Sequence, residues 1–426
     1  MKREKGGVCA PTGFMAAHTA GHIKYENRDD CAMIYSQTPC VTAATFTSNV
    51  VKAAPVLFDR DIVRSEKKVS AVVVNTGIAN AATGKLGLNI CSEEAAATKQ
   101  ALKLPADEEV LVASTGVIGA QVPLDKICDA IRVMSEKLVR TEEGGTAASE
   151  AIKTTDTHGK QVAVSFEIGG KEVTIGAMAK GSGMIHPNMC TMLSFVMTDC
   201  AITKELLQSA LSETVADTYN MISVDGDMST NDSCFLLANG MAKNPLISEK
   251  DDSYETFVEA LGIVNRYLAE SMAEDGEGAT KLLECRVVHA DTTEHAKTLA
   301  KSVIESNLTK AAVFGNDANW GRIFCALGYS GVSFDPERTD IYVGRGLSIE
   351  EETGLYISHE ELPAALDLRL VENGMATGYD EEEATAILSS KHVVVTCDMK
   401  AGSASAAAYG CDLTHEYVNI NADYRS

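Results

Sequence analysis

Two alternating runs, Val162-Ala-Val-Ser-Phe166 and Val173-Thr-Ile-Gly-Ala177, flank the pair Gly169-Gly170. Glycine accepts the positive φ of a tight turn, so this spacing predicts a β-hairpin over 162–178. The stretch Lys180-Gly-Ser-Gly-Met-Ile-His-Pro-Asn188 follows, with turn chemistry throughout. The chain then enters the run Thr191 to Met197, which reads as a strand buried on both faces. A chain with these signals at its middle has to build a covered sheet there.

Around this centre strands and helices alternate. Strands are predicted at 71–75 and at 109–114, the second ended by Thr115-Gly116. A helix is predicted over 124–139, with Leu124, Ile127, Ile131, Met134 and Leu138 at helical spacing. Two more follow, over 204–219 and 254–272, the latter stopped at Glu274-Asp-Gly276-Glu-Gly278. From Leu282 the pattern becomes strand 285–289, helix 294–305, strand 311–314, helix near 320–327 and strand 393–397. Small residues fill 401–410, and a last strand is predicted at 417–421. With 426 residues and 45 % hydrophobic content, two or three domains are expected. We expect a first domain over 1–280, to whose site the segment from about 400 to 426 returns, and a smaller α/β domain over 281–400. No internal repeat or low-complexity tract is visible.

Composition excludes several classes of function. Asp plus Glu total 60 against 37 Lys plus Arg, a net charge of -23. Such a surface repels phosphate backbones and anionic lipid, so neither nucleic acid nor a membrane is expected as a partner. The 12 cysteines form no C-x-x-C pair and have no histidines at zinc spacing, so no metal is expected and the thiols read as reduced and mostly buried. The N-terminus lacks the apolar core of a secretory signal. The longest apolar run, Met189 to Met197, is about half the ~20 residues that span a bilayer. A cytoplasmic location is expected.

A glycine loop and a proline thus deliver the chain to Thr191. Local sequence alone favours an ordinary strand residue there, since threonine suits strands. The other reading is an N-terminal nucleophile. Its hydroxyl would attack the Cys190 carbonyl, turn the peptide into an ester and let water release the new N-terminus. The freed α-amine, with an ordinary pKa of about 7.7–8.0, then serves the hydroxyl as general base.

The segment Lys180-Gly-Ser-Gly-Met-Ile-His-Pro-Asn-Met-x-Thr191-Met-Leu193 resembles the cleavage region of the ornithine acetyltransferase family, also called glutamate N-acetyltransferase. Five further segments resemble the family's motifs in order: Ser114-Thr-Gly-Val-Ile-Gly119, Thr154-Thr-Asp-Thr157, Val224 to Asp232, Asp275 to Lys281 and Tyr417 to Ser426. The resemblance implies an α-β-β-α sandwich of the self-processing aminopeptidase type, with a second, smaller α/β domain. It implies cleavage between Cys190 and Thr191 into chains 1–190 and 191–426, assembled as α2β2. It implies acetyl transfer from N2-acetyl-L-ornithine to Thr191, release of L-ornithine and transfer to L-glutamate, in arginine biosynthesis. No prosthetic group is implied; acetyl-CoA serves some members as a co-substrate.

Site residues follow from the same resemblance. Thr115 and Gly116 would form the oxyanion hole, and Thr154, Lys180, Thr191, Glu277, Asn421 and Ser426 would contact substrate. Two positions depart from the commonest pattern. Cys190 stands where alanine is usual, which also offers a rival nucleophile with cleavage after Met189. Ser426 stands where threonine also occurs. His186 could suggest a Cys–His dyad but is read as structural. Two other readings remain: an amidase or aminopeptidase-type hydrolase on the same scaffold, and an uncut protein that binds acetylated amino acids without turnover.

Overall fold

The computed structural model describes residues 1–186, 192–346 and 367–422. The chain forms two compact units. The first comprises Met1–Gly181, Asn188–Asn220 and Met228–Leu268; the second comprises Ser182–Pro187, Met221–Asp227 and Ala269–Ser426.

In the first unit the predicted hairpin forms from Lys160–Ile168 and Lys171–Lys180. Gly169 and Gly170 both take positive φ, 57° and 72°, as a two-residue turn requires. Lys171–Lys180 pairs antiparallel with Leu193–Thr198, which pairs parallel with Ser233–Ala238. The long strand Cys31–Phe46 carries the ladder onward. Its residues 41–46 pair with Ser233–Ala238, residues 31–36 pair with Phe14–Thr19, and residues 31–35 pair with residues 71–75 of strand Lys68–Asn75. The register shifts between Tyr35 and Cys40, where the chain passes from one β layer to the other.

The layers face each other across one core. Ile34, Val72, Val74 and Leu111 meet Leu193, Phe195, Met197 and Phe235. On the outer side of the second layer, Met33, Val73 and Val112 pack with Ile90 of helix Gly84–Leu102 and with Ile127 and Ile131 of helix Leu124–Glu136. The first layer's outer side meets other helical residues. Ser194 Oγ lies 3.0 Å from Tyr219 Oη, and the Phe166 and Phe257 rings lie 6.5 Å apart. This is the α-β-β-α sandwich. It explains why all six residues of Leu193–Thr198 are buried: alternate side chains enter the inter-sheet core and the helix-covered side.

The second unit holds a six-stranded sheet in the order Met375–Ala376, Leu368–Glu372, Asp340–Arg345, His392–Asp398, Leu282–Ala290, Ala404–Cys411. Among the described residues, only Leu282–Ala290 and His392–Asp398 run parallel in this sheet. Leu283, Cys285, Val287, Val393 and Val395 form its core with Leu299, Val303, Ile323 and Leu327 from the helices.

Several expectations change. Residues 311–314 belong to a helix, Asn307–Phe314, because Ser306 caps it by accepting from Thr309 N at 3.2 Å. Residues 417–421 lie in helix His415–Ala422, where Thr414 Oγ1 accepts from Glu416 N at 3.1 Å. The small-residue segment supplies strand Ala404–Cys411 to the second sheet, and the second unit takes up the chain from Ala269. Strand Cys31–Phe46 and helices Ala54–Arg64 and Gly84–Leu102 went unread. The described cysteines are all free thiols. Among the described residues no helix is long and apolar enough to cross a membrane.

Candidate active site

Lys180 ends its strand in register with Leu193, which in turn pairs with Ser233. Cys190, Thr191 and Ser426 lie outside the described residues. Met192, which directly follows Thr191, is held at both its backbone groups. Its amide donates to Asp232 Oδ1 at 3.3 Å, and its carbonyl accepts from Ser233 N at 3.2 Å. Asp232 is wholly buried, and burial pushes its carboxyl well above the usual range despite nearby donors and the Lys180 charge. Its Oδ2 has no hydrogen-bond partner among the described residues.

The Lys180 side chain is buried and lies 4.0 Å from Asp156 Oδ2. Asp156 also accepts from Lys160 Nζ at 2.8 Å, Gly181 N at 2.7 Å and Thr154 N at 3.1 Å. Burial alone would raise its pKa. Lys180, Lys160 and the Gly181 amide outweigh burial and hold the carboxyl far below the ordinary range. Asp156 therefore ties two expected site residues, Thr154 and Lys180, to one anchor. The Thr154 carbonyl is further held by Arg28, whose guanidinium stacks on Tyr25 at 3.8 Å.

Thr115 and Gly116 follow strand Glu108–Ser114. Thr115 is buried, and its amide is committed to Asn75 O at 3.1 Å. A donor from this residue has to be the hydroxyl. Gly116 has φ 130°, and a Cβ there would lie 2.3 Å from the Gly77 carbonyl carbon, so only glycine fits. No partner is found for the Gly116 amide among the described residues. Asn231 ties this turn to the segment preceding Ser233. Its Nδ2 donates to Ser114 O at 2.7 Å and to Ala79 O at 2.6 Å.

In the second unit, Glu277 accepts from Asn421 Nδ2 at 2.7 Å, and its amide donates to Ser182 O at 2.9 Å. A Cβ on Gly183 would fall 2.2 Å from Glu277 Oε2, so the loop passes close against that carboxylate. Asp225 accepts from Met184 N at 2.6 Å, Ile185 N at 2.9 Å and Tyr417 Oη at 3.3 Å, fixing the loop before Pro187. His186 lies 3.6 Å from Glu305.

The first unit thus gathers Thr115, Gly116, Thr154 and Lys180 with Met192, and the second brings Glu277 to Asn421. Sequence reasoning gave no role to Asp156, Asp225, Asn231 or Asp232. All four sit inside the segments singled out above, but their partners are distant in the chain. Chemically, the first unit offers a buried cation and a turn with an uncommitted amide beside a hydroxyl. That combination suits acyl chemistry through an oxyanion. No group of three or more His, Cys, Asp or Glu that could hold a metal occurs among the described residues.

A family model described as the ArgJ family matches residues 15–426. The chain is 47 % identical over 424 residues to the arginine biosynthesis bifunctional protein ArgJ of Symbiobacterium thermophilum, covering 99 % of each. It is 49 % identical over 413 residues to the arginine biosynthesis bifunctional protein ArgJ 1 of Clostridium acetobutylicum, covering 97 % of this chain and 96 % of that one. A crystal structure of the arginine biosynthesis bifunctional protein argJ from Bacillus halodurans matches at 40 % identity and TM-score 0.48, over 55 % of this chain and 99 % of that one.

Proposed function

The chain belongs to the ArgJ family and is an acetyltransferase of arginine biosynthesis, acting between N2-acetyl-L-ornithine and L-glutamate; on that premise we propose that Thr191, freed by cleavage of the Cys190–Thr191 bond, carries the acetyl group. The observation that supports this reading most is the convergence within the first unit of Lys180, Met192 and the Ser114–Gly116 turn, joined through Asn231.

In the proposed cycle the Thr191 hydroxyl attacks the acetyl carbonyl of N2-acetyl-L-ornithine, and the Thr191 α-amine takes its proton. The Thr115 hydroxyl and the Gly116 amide stabilise the oxyanion. L-Ornithine leaves with a proton on its amine, and acetyl-Thr191 remains. The L-glutamate amine then attacks this ester and regenerates the hydroxyl. Lys180, Thr154, Glu277, Asn421 and Ser426 hold the charged groups of the substrates. Lys180 also disfavours a second positive charge on the Thr191 amine. The cycle draws on side chains, the Gly116 amide and the new Thr191 amine, with no metal or prosthetic group, and acetyl-CoA is the second donor to be assayed.

Cleavage need not separate the two chains. Ile175 to Lys180, before the cut, pair residue by residue with Leu193–Thr198 after it. We further propose a cytoplasmic α2β2 assembly of two cleaved chains. The test is ornithine release from N2-acetyl-L-ornithine with and without L-glutamate. Release that needs glutamate and yields acetylglutamate is expected. Equal release into water in its absence would instead support a hydrolase.

A further inference from the structure

The loop between strands Phe14–Thr19 and Cys31–Phe46 touches both the turn and the anchor of the candidate site in the first unit. Asp30 shapes it by accepting from Gly21 N at 2.6 Å and from Ile23 N at 2.7 Å. Thr76 N donates to Asp30 O at 2.9 Å and pins the loop beside Gly77. A Cβ on Gly77 would lie 2.7 Å from Lys24 Cβ and 3.5 Å from Tyr25 Cε2, and the Gly77 backbone in turn backs Gly116. At the loop's other end, Arg28 donates to the carbonyls of Lys153 and Thr154, and its guanidinium lies over the Tyr25 ring, 3.8 Å from the centroid. Tyr25 therefore meets Gly77 at its edge and Arg28 on its face.

This guanidinium is a charge without a counter-charge. Arg28 makes no ion pair among the described residues, and its Nε is buried without a hydrogen-bond partner there. Three carboxylates of the loop and the anchor are engaged elsewhere. Asp29 pairs with His18, both oxygens of Asp30 serve loop amides, and Asp156 is matched by Lys160 and Lys180. A guanidinium carries five N–H donors, and the two carbonyls engage Nη1 and Nη2 once each. Donors and a full positive charge are left for an anion.

We propose that Arg28 binds the side-chain carboxylate of L-glutamate and so selects the acceptor of the acetyl group; the inference rests on the acetyl-transfer reading above. L-Glutamate brings two carboxylates to the site, whereas N2-acetyl-L-ornithine brings one, and an ammonium. Among the substrate contacts proposed above, Lys180 is the only cationic side chain, so one carboxylate of the acceptor lacks a partner. The planar fork of a guanidinium fits a carboxylate through two parallel hydrogen bonds. The position agrees with this role. The acceptor's amine has to reach an acyl carbon held at the Thr115–Gly116 turn, and its side-chain carboxylate stands four bonds from that amine. Arg28 is correspondingly displaced from the turn by Gly77 and the Tyr25 ring. An ammonium at that end, as in ornithine, is repelled by Arg28, so the residue discriminates between the two amines that compete for the acetyl group.

Steady-state transfer from N2-acetyl-L-ornithine by the full chain, with L-glutamate and with L-glutamine as acceptors, tests the assignment. Glutamine keeps the shape of the side chain and removes its charge. In Arg28→Gln the KM for L-glutamate should rise at least about tenfold, and the preference for glutamate over glutamine should fall by as much. The KM for N2-acetyl-L-ornithine should move by less than about twofold. Arg28→Lys restores the charge and should recover most of the preference. Arg28→Met keeps the stem over Tyr25 and gives the same readout where the Gln variant fails to fold. Equal use of both acceptors by wild type, a wild-type preference in the Gln or Met variant, or an equal loss with both acceptors would overturn the assignment. Ornithine release by wild type that needs no acceptor would instead remove the acetyl-transfer reading, and this inference with it.

Discussion

Lys180 Nζ lies 4.0 Å from Asp156 Oδ2, and both side chains are almost completely buried. A buried ammonium is tolerated only beside a counter-charge, so Asp156 is what allows a cation at the end of strand Lys171–Lys180. Removing that charge by Asp156→Asn leaves Lys180 and Lys160 without their shared partner. A loss of about 3–5 kcal/mol in unfolding free energy is expected at pH 7, measured by urea denaturation. The sign with pH follows from the lowered carboxyl. Its stabilisation is fully present above the unfolded value of about 3.9 and is lost as pH falls from there toward the lower folded value. The Asn variant should lack that acid-side slope.

Thr115→Ala removes the only side-chain donor that residue can offer, since its amide is held by Asn75. A fall of about 10²–10³ in kcat is expected for acetyl transfer, with Thr115→Ser largely restoring it. Gly116→Ala should do at least as much damage, because its Cβ would collide with the Gly77 backbone. Wild-type kcat in folded Thr115→Ala would remove the hydroxyl from the mechanism.

Asn231→Ala strips a buried donor from two carbonyls, Ala79 O and Ser114 O. Each buried group left unpaired costs about 1–3 kcal/mol. The turn at Thr115–Gly116 should loosen as well, so kcat should fall alongside the melting temperature. A stability loss with unaltered kcat would limit Asn231 to a structural role.

Glu94 lies buried in helix Gly84–Leu102, its Oε1 without a hydrogen-bond partner among the described residues, and burial raises its pKa to about 8. Between the unfolded value of about 4.3 and that raised value the folded chain binds more protons than the unfolded one. Its contribution to stability is therefore complete below the unfolded value and is lost as pH rises through about 8. Glu94→Gln should be the more stable protein at pH 9 and should flatten this slope, as read from denaturation midpoints across pH 5–9.

Local signals made part of this molecule legible. The Gly169-Gly170 turn and its alternating flanks specify a hairpin without outside help, and it forms in register. Residues 311–314 and 417–421 misled because a run of four or five residues satisfies either period; the caps at Ser306 and Thr414 decide for helix. Strand Cys31–Phe46 is broken by polar and proline positions and lacks a clean alternation. At the site, Thr115, Gly116, Thr154, Lys180, Glu277 and Asn421 were named through resemblance. The roles of Asp156 and Asn231 depend on folding: Asn231 meets Ser114 across 117 positions of sequence.

The central claim is the freed threonine. N-terminal sequencing and intact mass of the purified, fully active protein test it most directly. Two chains are predicted, Met1–Cys190 and a second beginning Thr191-Met-Leu-Ser, with Thr191→Ala remaining a single inactive chain. A single uncut chain starting at Met1 that transfers acetyl groups at the full rate would contradict the account.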